Sequence, residues 1–260
     1  MAGKSPGGHV STFFRFAGEL GLFGFRAVHN SFRPPFEFKE IVNQIFEVGW
    51  RSGPLVLVSG FAFGAVIALE TRASMVNFGA QAMIPQAVSF GLFQDMGPLL
   101  TALLVSGRVG AGIGAELAGM RVTEQIDAIE ALAVDSFKYL VVTRIIACVI
   151  AMPVLTLLLD FAGLVGGMAA DLFALHMSAR LFVADAFNSM SWSDFVPPTL
   201  QTVVFGFIIG TLSCYLGYTA TEGAAGVGRA STRSVVFSSV LVIVAEVILV
   251  KGIQFWFAAG

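Results

Sequence analysis

Charge is what this sequence has least of. Of its 260 residues only 12% are Asp, Glu, Lys or Arg, roughly half the share found in soluble domains. A soluble core of this size could not cover itself with so little charge. The net charge of −2 supplies no global field for nucleic acid. The two cysteines, Cys148 and Cys214, exclude a secreted disulfide scaffold and read as small buried hydrophobes inside apolar runs. The three histidines, His9, His29 and His176, are far apart and form no H-E-x-x-H, so no metal site is expected. No G-x-x-x-x-G-K-[ST] occurs, and Gly107, Gly110, Gly112 and Gly114 do not fit G-x-G-x-x-G, so the chain carries no nucleotide site of its own. No G-x-S-x-G or other nucleophile–base constellation supports a membrane enzyme. No cofactor is implied. The first 35 residues hold no apolar stretch long enough for an export signal.

What is present is apolar. Hydrophobic residues make up 56% of the chain, with 25 Phe and 29 Gly, and the mean hydropathy is +0.83. The apolar residues run continuously rather than alternating, which predicts an all-α membrane protein and not a β-barrel. Five segments reach the roughly 20 residues needed to cross a bilayer: about Pro54 to Val76, Pro85 to Val109, Ile145 to Ala170, Pro198 to Thr221 and Val235 to Phe257. The stretches His9 to Phe32 and Phe36 to Trp50 mix aromatic with charged residues around Pro34-Pro35. They read as interfacial amphipathic helices, giving an N-terminal region over 1–50 and a five-span domain over 51–260.

Basic residues fix the orientation. Lys4, Arg15, Arg26, Arg33, Lys39 and Arg51 precede the first span. Arg108, Arg121, Lys138 and Arg144 lie between the second and third, and Arg229 and Arg233 between the fourth and fifth. Only Arg72, Arg180 and Lys251 fall at the other ends. The positive-inside rule places the N-terminus in the cytoplasm and the C-terminus outside it.

Ionisable residues inside spans are costly and call for a reason. Asp95 lies in Gln94-Asp95-Met96-Gly97-Pro98, where Pro98 frees the Gln94 carbonyl from its helical bond. A functional and a packing role weigh evenly for it; for Asp160 and Glu246 packing is favoured. Gly60/Gly64, Gly110/Gly114, Gly163/Gly167 and Gly206/Gly210 repeat small residues at i, i+4 and predict close helix approach. On span one, Ile67, Thr71, Ser74, Met75 and Phe78 share a face that could line an acyl-chain path, with core packing equally compatible.

Residues 107–135, GRVGAGIGAELAGMRVTEQIDAIEALAVD, turn from apolar to mixed charge. Thr123 is placed to cap a short helix with Glu124 in its first turn. Ile126, Ile129 and Leu132 mark one face, and Arg121, Glu124, Asp127 and Glu130 another. Such a helix suits docking of another protein.

Residues 96–135, together with Gly226 to Val236 (GVGRASTRSVV), closely resemble the signature of MlaE/YrbE-type permeases, the membrane subunits of ABC transporters that work with MCE-domain proteins. The resemblance covers the chain from about Phe36 onward. It implies a homodimer or a heterodimer of two related permeases in the bacterial inner membrane. It also implies a separate ABC ATPase, with a possible small regulatory subunit on it, a periplasmic MCE ring, and a lipid, typically phospholipid, passing through the dimer centre. By position, Arg121, Glu124, Gln125, Asp127 and Glu130 fall in the ATPase-coupling element. Ile67, Glu70, Arg72, Ser74, Met75, Phe78, Asp95 and Met96 are the expected substrate contacts. Where the family has an Arg-Glu-Leu-Gly-Pro-like run, this chain has Gln94-Asp95-Met96-Gly97-Pro98; Arg72 is expected to restore the missing positive charge beside Asp95 or a phosphate. The alternative is a stand-alone secondary transporter or channel using Asp95 and Glu246, which the absence of an internal repeat disfavours.

Overall fold

The computed structural model describes residues 7–258 except 35, 176, 177, 189 and 222, with backbone alone at 7–13, 81, 174–175 and 253–258. Lys4 and His176, and the side chains of His9, Phe13 and Phe257, lie outside the described set. Among the described residues there is no strand. Eight helices follow one another: α1 (Gly7–Ser31), α2 (Phe38–Met75), α3 (Ile84–Val122), α4 (Gln125–Ala131), α5 (Phe137–Phe173), α6 (Ala179–Asn188), α7 (Trp192–Tyr218) and α8 (Gly223–Ala258). Five of them, α2, α3, α5, α7 and α8, are long and apolar enough to cross a membrane. The all-helical, five-span reading of the sequence therefore holds.

Three elements differ from the sequence reading. The Phe36 to Trp50 stretch is not a separate interfacial helix, because α2 runs unbroken through Pro54 and across residues 50 and 51. Its first turns are tied by Gln44 Nε2 donating to Glu40 (2.8 Å) and by the Arg51–Glu47 ion pair (2.7 Å). These charges line a polar cavity of about 590 Å³ that reaches Arg108 and Glu116 on α3. Helix α6 was not foreseen. It is ten residues long and packs on the start of α3, where Ser89 Oγ donates to Ala186 O (3.0 Å). Finally, α3 continues to Val122, past Val109, where the sequence reading ended the second span.

The bundle is organised around α5, which packs most extensively against α2 and α7. Small residues make this possible. A Cβ on Gly60 would stand 2.5 Å from Leu159 O, and one on Gly64 would collide with the Gly163 backbone. On the other side of α5, a Cβ on Gly206 would stand 2.6 Å from Cys148 O. Backbones in direct contact gain dispersion over their whole length, which is the main attraction left between helices in lipid. Fully buried Met152, Leu155, Phe205 and Ile209 fill the core between these approaches. Cys148 and Cys214 are free and buried there.

Helix α3 is interrupted twice by π-helical turns, Gly91–Met96 and Ser106–Gly110. The first has a covalent cause. Pro98 has no N–H to offer the carbonyl four residues back, and the Gly97 N–H bonds Leu92 O, five residues back. The helix widens by one residue just ahead of the proline, a form often found at functional positions.

Candidate functional site

Two regions hold the residues singled out from the sequence. The first lies where α3 ends at Val122, and the second lies within the spans, around the π turn at Gly91–Met96.

At the end where α3 leaves the spans, α4 is a seven-residue helix. A helix this short does not hold itself in water, so its position comes from its anchors. Ile126 is fully buried beneath it. Ser136 Oγ donates to Glu130 Oε1 (2.5 Å), and Tyr218 OH donates to the same oxygen (3.3 Å). Arg121 pairs with Asp127 (2.7 Å). Thr123 does not cap α4, contrary to the sequence reading. Its hydroxyl and its N–H both turn back to Gly119 O (2.8 and 3.0 Å), finishing α3. Glu124 then takes a left-handed conformation (φ 59°) and redirects the chain into α4; Ala133 (φ 58°) does the same on leaving it. Both are strained for a residue with a Cβ, and the anchors on either side hold them.

This arrangement sorts the five coupling candidates. Arg121 and Asp127 satisfy each other, and the exposed Glu130 accepts hydrogen bonds from Ser136 and Tyr218. Glu124 and Gln125 remain exposed, beside Leu132 at 77% exposure. Ser136 and Tyr218 carry no signal in the sequence, because their roles depend on α5 and α7 meeting below α4. Behind them Phe137 meets Tyr218 and Phe23 edge-on, with centroids 6.1 and 5.0 Å away, and the Arg26 guanidinium sits 4.3 Å from the Phe137 ring. Helix α1 therefore braces the base of α4. It is held further by Tyr215 OH donating to Glu19 Oε2 (2.7 Å). That bond, and then the one from Arg15, pulls the Glu19 carboxyl below its ordinary pKa. Nearby, buried Arg144 donates from Nη2 to Glu116 (2.8 Å) and from Nη1 to Leu140 O (2.8 Å).

The second region surrounds the first π turn of α3. Gln94 Nε2 donates to Asp194 Oδ1 (2.9 Å), whose other oxygen receives the Ser191 N–H (2.9 Å) at the start of α7. Asp95 and Met96 are exposed on the flank of the turn. Asp95 faces the field of Glu246 on α8, which accepts from Gln201 Nε2 on α7 at 3.3 and 3.5 Å. On the opposite flank the buried Asp160 carboxyl of α5 occupies the space a side chain at Gly97 would need. The expected pairing of Arg72 with Asp95 is not what the fold brings together: the carboxylate in the field of Arg72 is Asp171. The reason is topological, since α2 packs along α5 and meets its outer end there.

The α2 face also divides. Half-buried Ile67 and Met75 pack against the small core around Phe182 and Ile84, while Glu70, Ser74 and Phe78 are exposed. Lower on α2, Leu57, Val58 and Phe61 form with Leu158, Phe161 and Val165 of α5 an apolar groove of about 570 Å³. Among the described residues no group of three metal-binding side chains converges.

Comparison with known proteins adds the family. Residues 41–251 match the family described as Permease MlaE. A probable ABC transporter permease protein of Rickettsia felis is 39% identical over 248 residues, 95% of this chain and 96% of its own length. One of Synechocystis is 33% identical over 211 residues, covering 81% and 80%. The intermembrane phospholipid transport system permease protein MlaE of Haemophilus influenzae is 32% identical over 244 residues, 94% of each chain. With five apolar helices in the same chain, this multi-pass protein belongs to the MlaE permease family.

Proposed function

We propose that this chain is the membrane subunit of an ABC transporter that moves a lipid of phospholipid class between the inner membrane and a periplasmic MCE-domain partner. The observation that carries the reading is α4: a short helix anchored from below by Ile126 and Glu130 and presenting Glu124, Gln125 and Leu132 outward. A chain without a phosphate loop needs such a surface to receive work from ATP hydrolysed elsewhere. The end bearing α4 is then cytoplasmic, as the basic residues of the connecting segments require, and the Trp192 end is periplasmic.

A second copy of the chain completes the path. Helices α2 and α8 are the least buried of the five spans, and their free faces are where a partner copy and lipid would lie. Acyl chains run beside α2 at Ile67, Glu70, Arg72, Ser74, Met75 and Phe78, and the headgroup reaches Asp95 and Met96. A regulatory subunit, where present, sits on the ATPase.

The test is assembly. The paired change Glu124→Lys with Leu132→Asp puts a reversed charge and a desolvated carboxylate into the docking face without touching a buried side chain. It should abolish co-purification of the ATPase while the helical content of the permease stays unchanged; retained assembly contradicts the docking role. A stand-alone transporter using Asp95 and Glu246 predicts instead that the chain alone moves solute in proteoliposomes.

A further inference from the structure

Asp95, Gln201 and Glu246 form a set of polar side chains inside the bundle that is rich in hydrogen-bond acceptors and poor in donors. Asp95 lies about 15 Å along α3 from its Ile84 end, and Gln201 a similar distance along α7 from Trp192. Glu246, on α8, is within hydrogen-bonding reach of Gln201 and in the field of Asp95, so three helices bring these groups to one level. Glu246 is only 8% exposed and Gln201 5%. The single donor group in the set, Gln201 Nε2, is spent on Glu246, and Gln201 Oε1 is buried without a partner. No ion pair among the described residues reaches Asp95 or Glu246. Gln94, the neighbour that could have supplied positive charge had it been arginine, is a neutral amide committed to Asp194.

Two carboxylates and an orphan amide oxygen facing a lipid-accessible flank are an incomplete constellation. Buried acceptors without donors are costly, and carboxylates inside a membrane protein mark the path of something that compensates them. The complement must carry positive charge and several N–H donors, and it meets the set from the exposed flank of α3 that bears Asp95 and Met96. An anionic phosphate has the wrong sign.

We propose that Asp95, Glu246 and Gln201 form a headgroup site for a primary ammonium. The carried lipid is then an amine-bearing, zwitterionic phospholipid rather than an anionic one. The proposal rests on the lipid-permease reading and names its substrate class. An ammonium offers three N–H donors, one for each of the Asp95 carboxylate, the Glu246 carboxylate and Gln201 Oε1.

The experiment uses the full-length permease with its ATPase in nanodiscs holding equimolar phosphatidylethanolamine and phosphatidylglycerol, with bound lipid read by native mass spectrometry and transfer by labelled lipid. Wild type should retain phosphatidylethanolamine in excess. The isosteric double variant Asp95→Asn, Glu246→Gln should lower that preference about tenfold, the scale of one lost charge-assisted hydrogen bond, while phosphatidylglycerol retention holds or rises. Free ethanolamine at millimolar concentration should not displace the lipid, which separates a headgroup site from a small-amine site; displacement overturns the lipid assignment. Equal retention of the two lipids by wild type, or an unchanged preference in the variant, overturns the headgroup site and leaves the permease reading intact. Loss of transfer of both lipids alike, with a shifted pH profile, overturns it in favour of a proton site. Absence of any retained lipid overturns both readings.

Discussion

Replacing Ile126 by alanine should free α4 from the bundle while leaving the five spans in place. Ile126 is completely buried, and the change removes three carbon atoms, each worth about 0.8 kcal/mol of transfer free energy. With the cavity left behind, the loss is about 2–4 kcal/mol. The other anchors are weaker. The Arg121–Asp127 pair is largely solvated and contributes at most about 1 kcal/mol; the hydroxyls of Ser136 and Tyr218 on Glu130 contribute about 1 kcal/mol each. Ile126 is thus the largest single tie on a helix too short to stand alone. Hydrogen–deuterium exchange reads the result directly. Amides of residues 126–134 should exchange about 30- to 1,000-fold faster, and those of α5 and α7 should be unchanged. ATP turnover by the complex should lose its dependence on lipid. Unchanged exchange in α4, or acceleration spread evenly over α5 and α7, would refute the claim that this side chain holds the coupling element.

Other perturbations test the packing and the charges. Gly64→Leu should prevent accumulation of folded protein on fluorescence-detected size exclusion, because its side chain would enter the Gly163 backbone; Gly49→Ala, which meets nothing within 4 Å, should keep or raise the melting temperature, by about 0.5–1 kcal/mol of helix propensity. Glu116→Gln removes the charge partner of buried Arg144; since Glu116 itself is half-exposed, the loss should be about 1–2 kcal/mol, below the value for a fully buried pair, read as a lowered melting temperature. Glu19 has a depressed pKa in the folded state, so its contribution is present above the ordinary glutamate range and fades as pH falls through the lowered value. Tyr215→Phe should return that carboxyl toward its ordinary value, seen by isotope-edited infrared titration.

The fold was legible where chemistry is local. Runs such as LVLVSGFAFGAVIALE and VLVIVAEVILV announce their helices without reference to anything else, and glycines at i, i+4 foretold the contact of Gly60 and Gly64 with α5. Continuity of α2 through Pro54 was hidden, because charged Glu40, Glu47 and Arg51 look like the end of a span until the cavity they face is known. Helix α6 is short and mixed in composition, and its place depends on Ser89 reaching Ala186. The pairing of charges was the least legible part. Whether Arg72 meets Asp95 or Asp171 turns on which helices abut, and no spacing along the chain encodes that. Thr123 illustrates the same point at short range: it sits two residues before the start of α4, yet bonds to the helix it ends.

The central claim is that α4 passes work from a separate ATPase to lipid moved by these spans. Its most direct measurement is ATP-dependent transfer of labelled phospholipid by the permease–ATPase complex in proteoliposomes, with wild type set beside Glu124→Lys, Leu132→Asp. Wild type should transfer lipid only with ATP and the ATPase present, and the variant should fall to the level seen without ATP. Undiminished transfer by the variant, or transfer by the permease alone, would contradict the account.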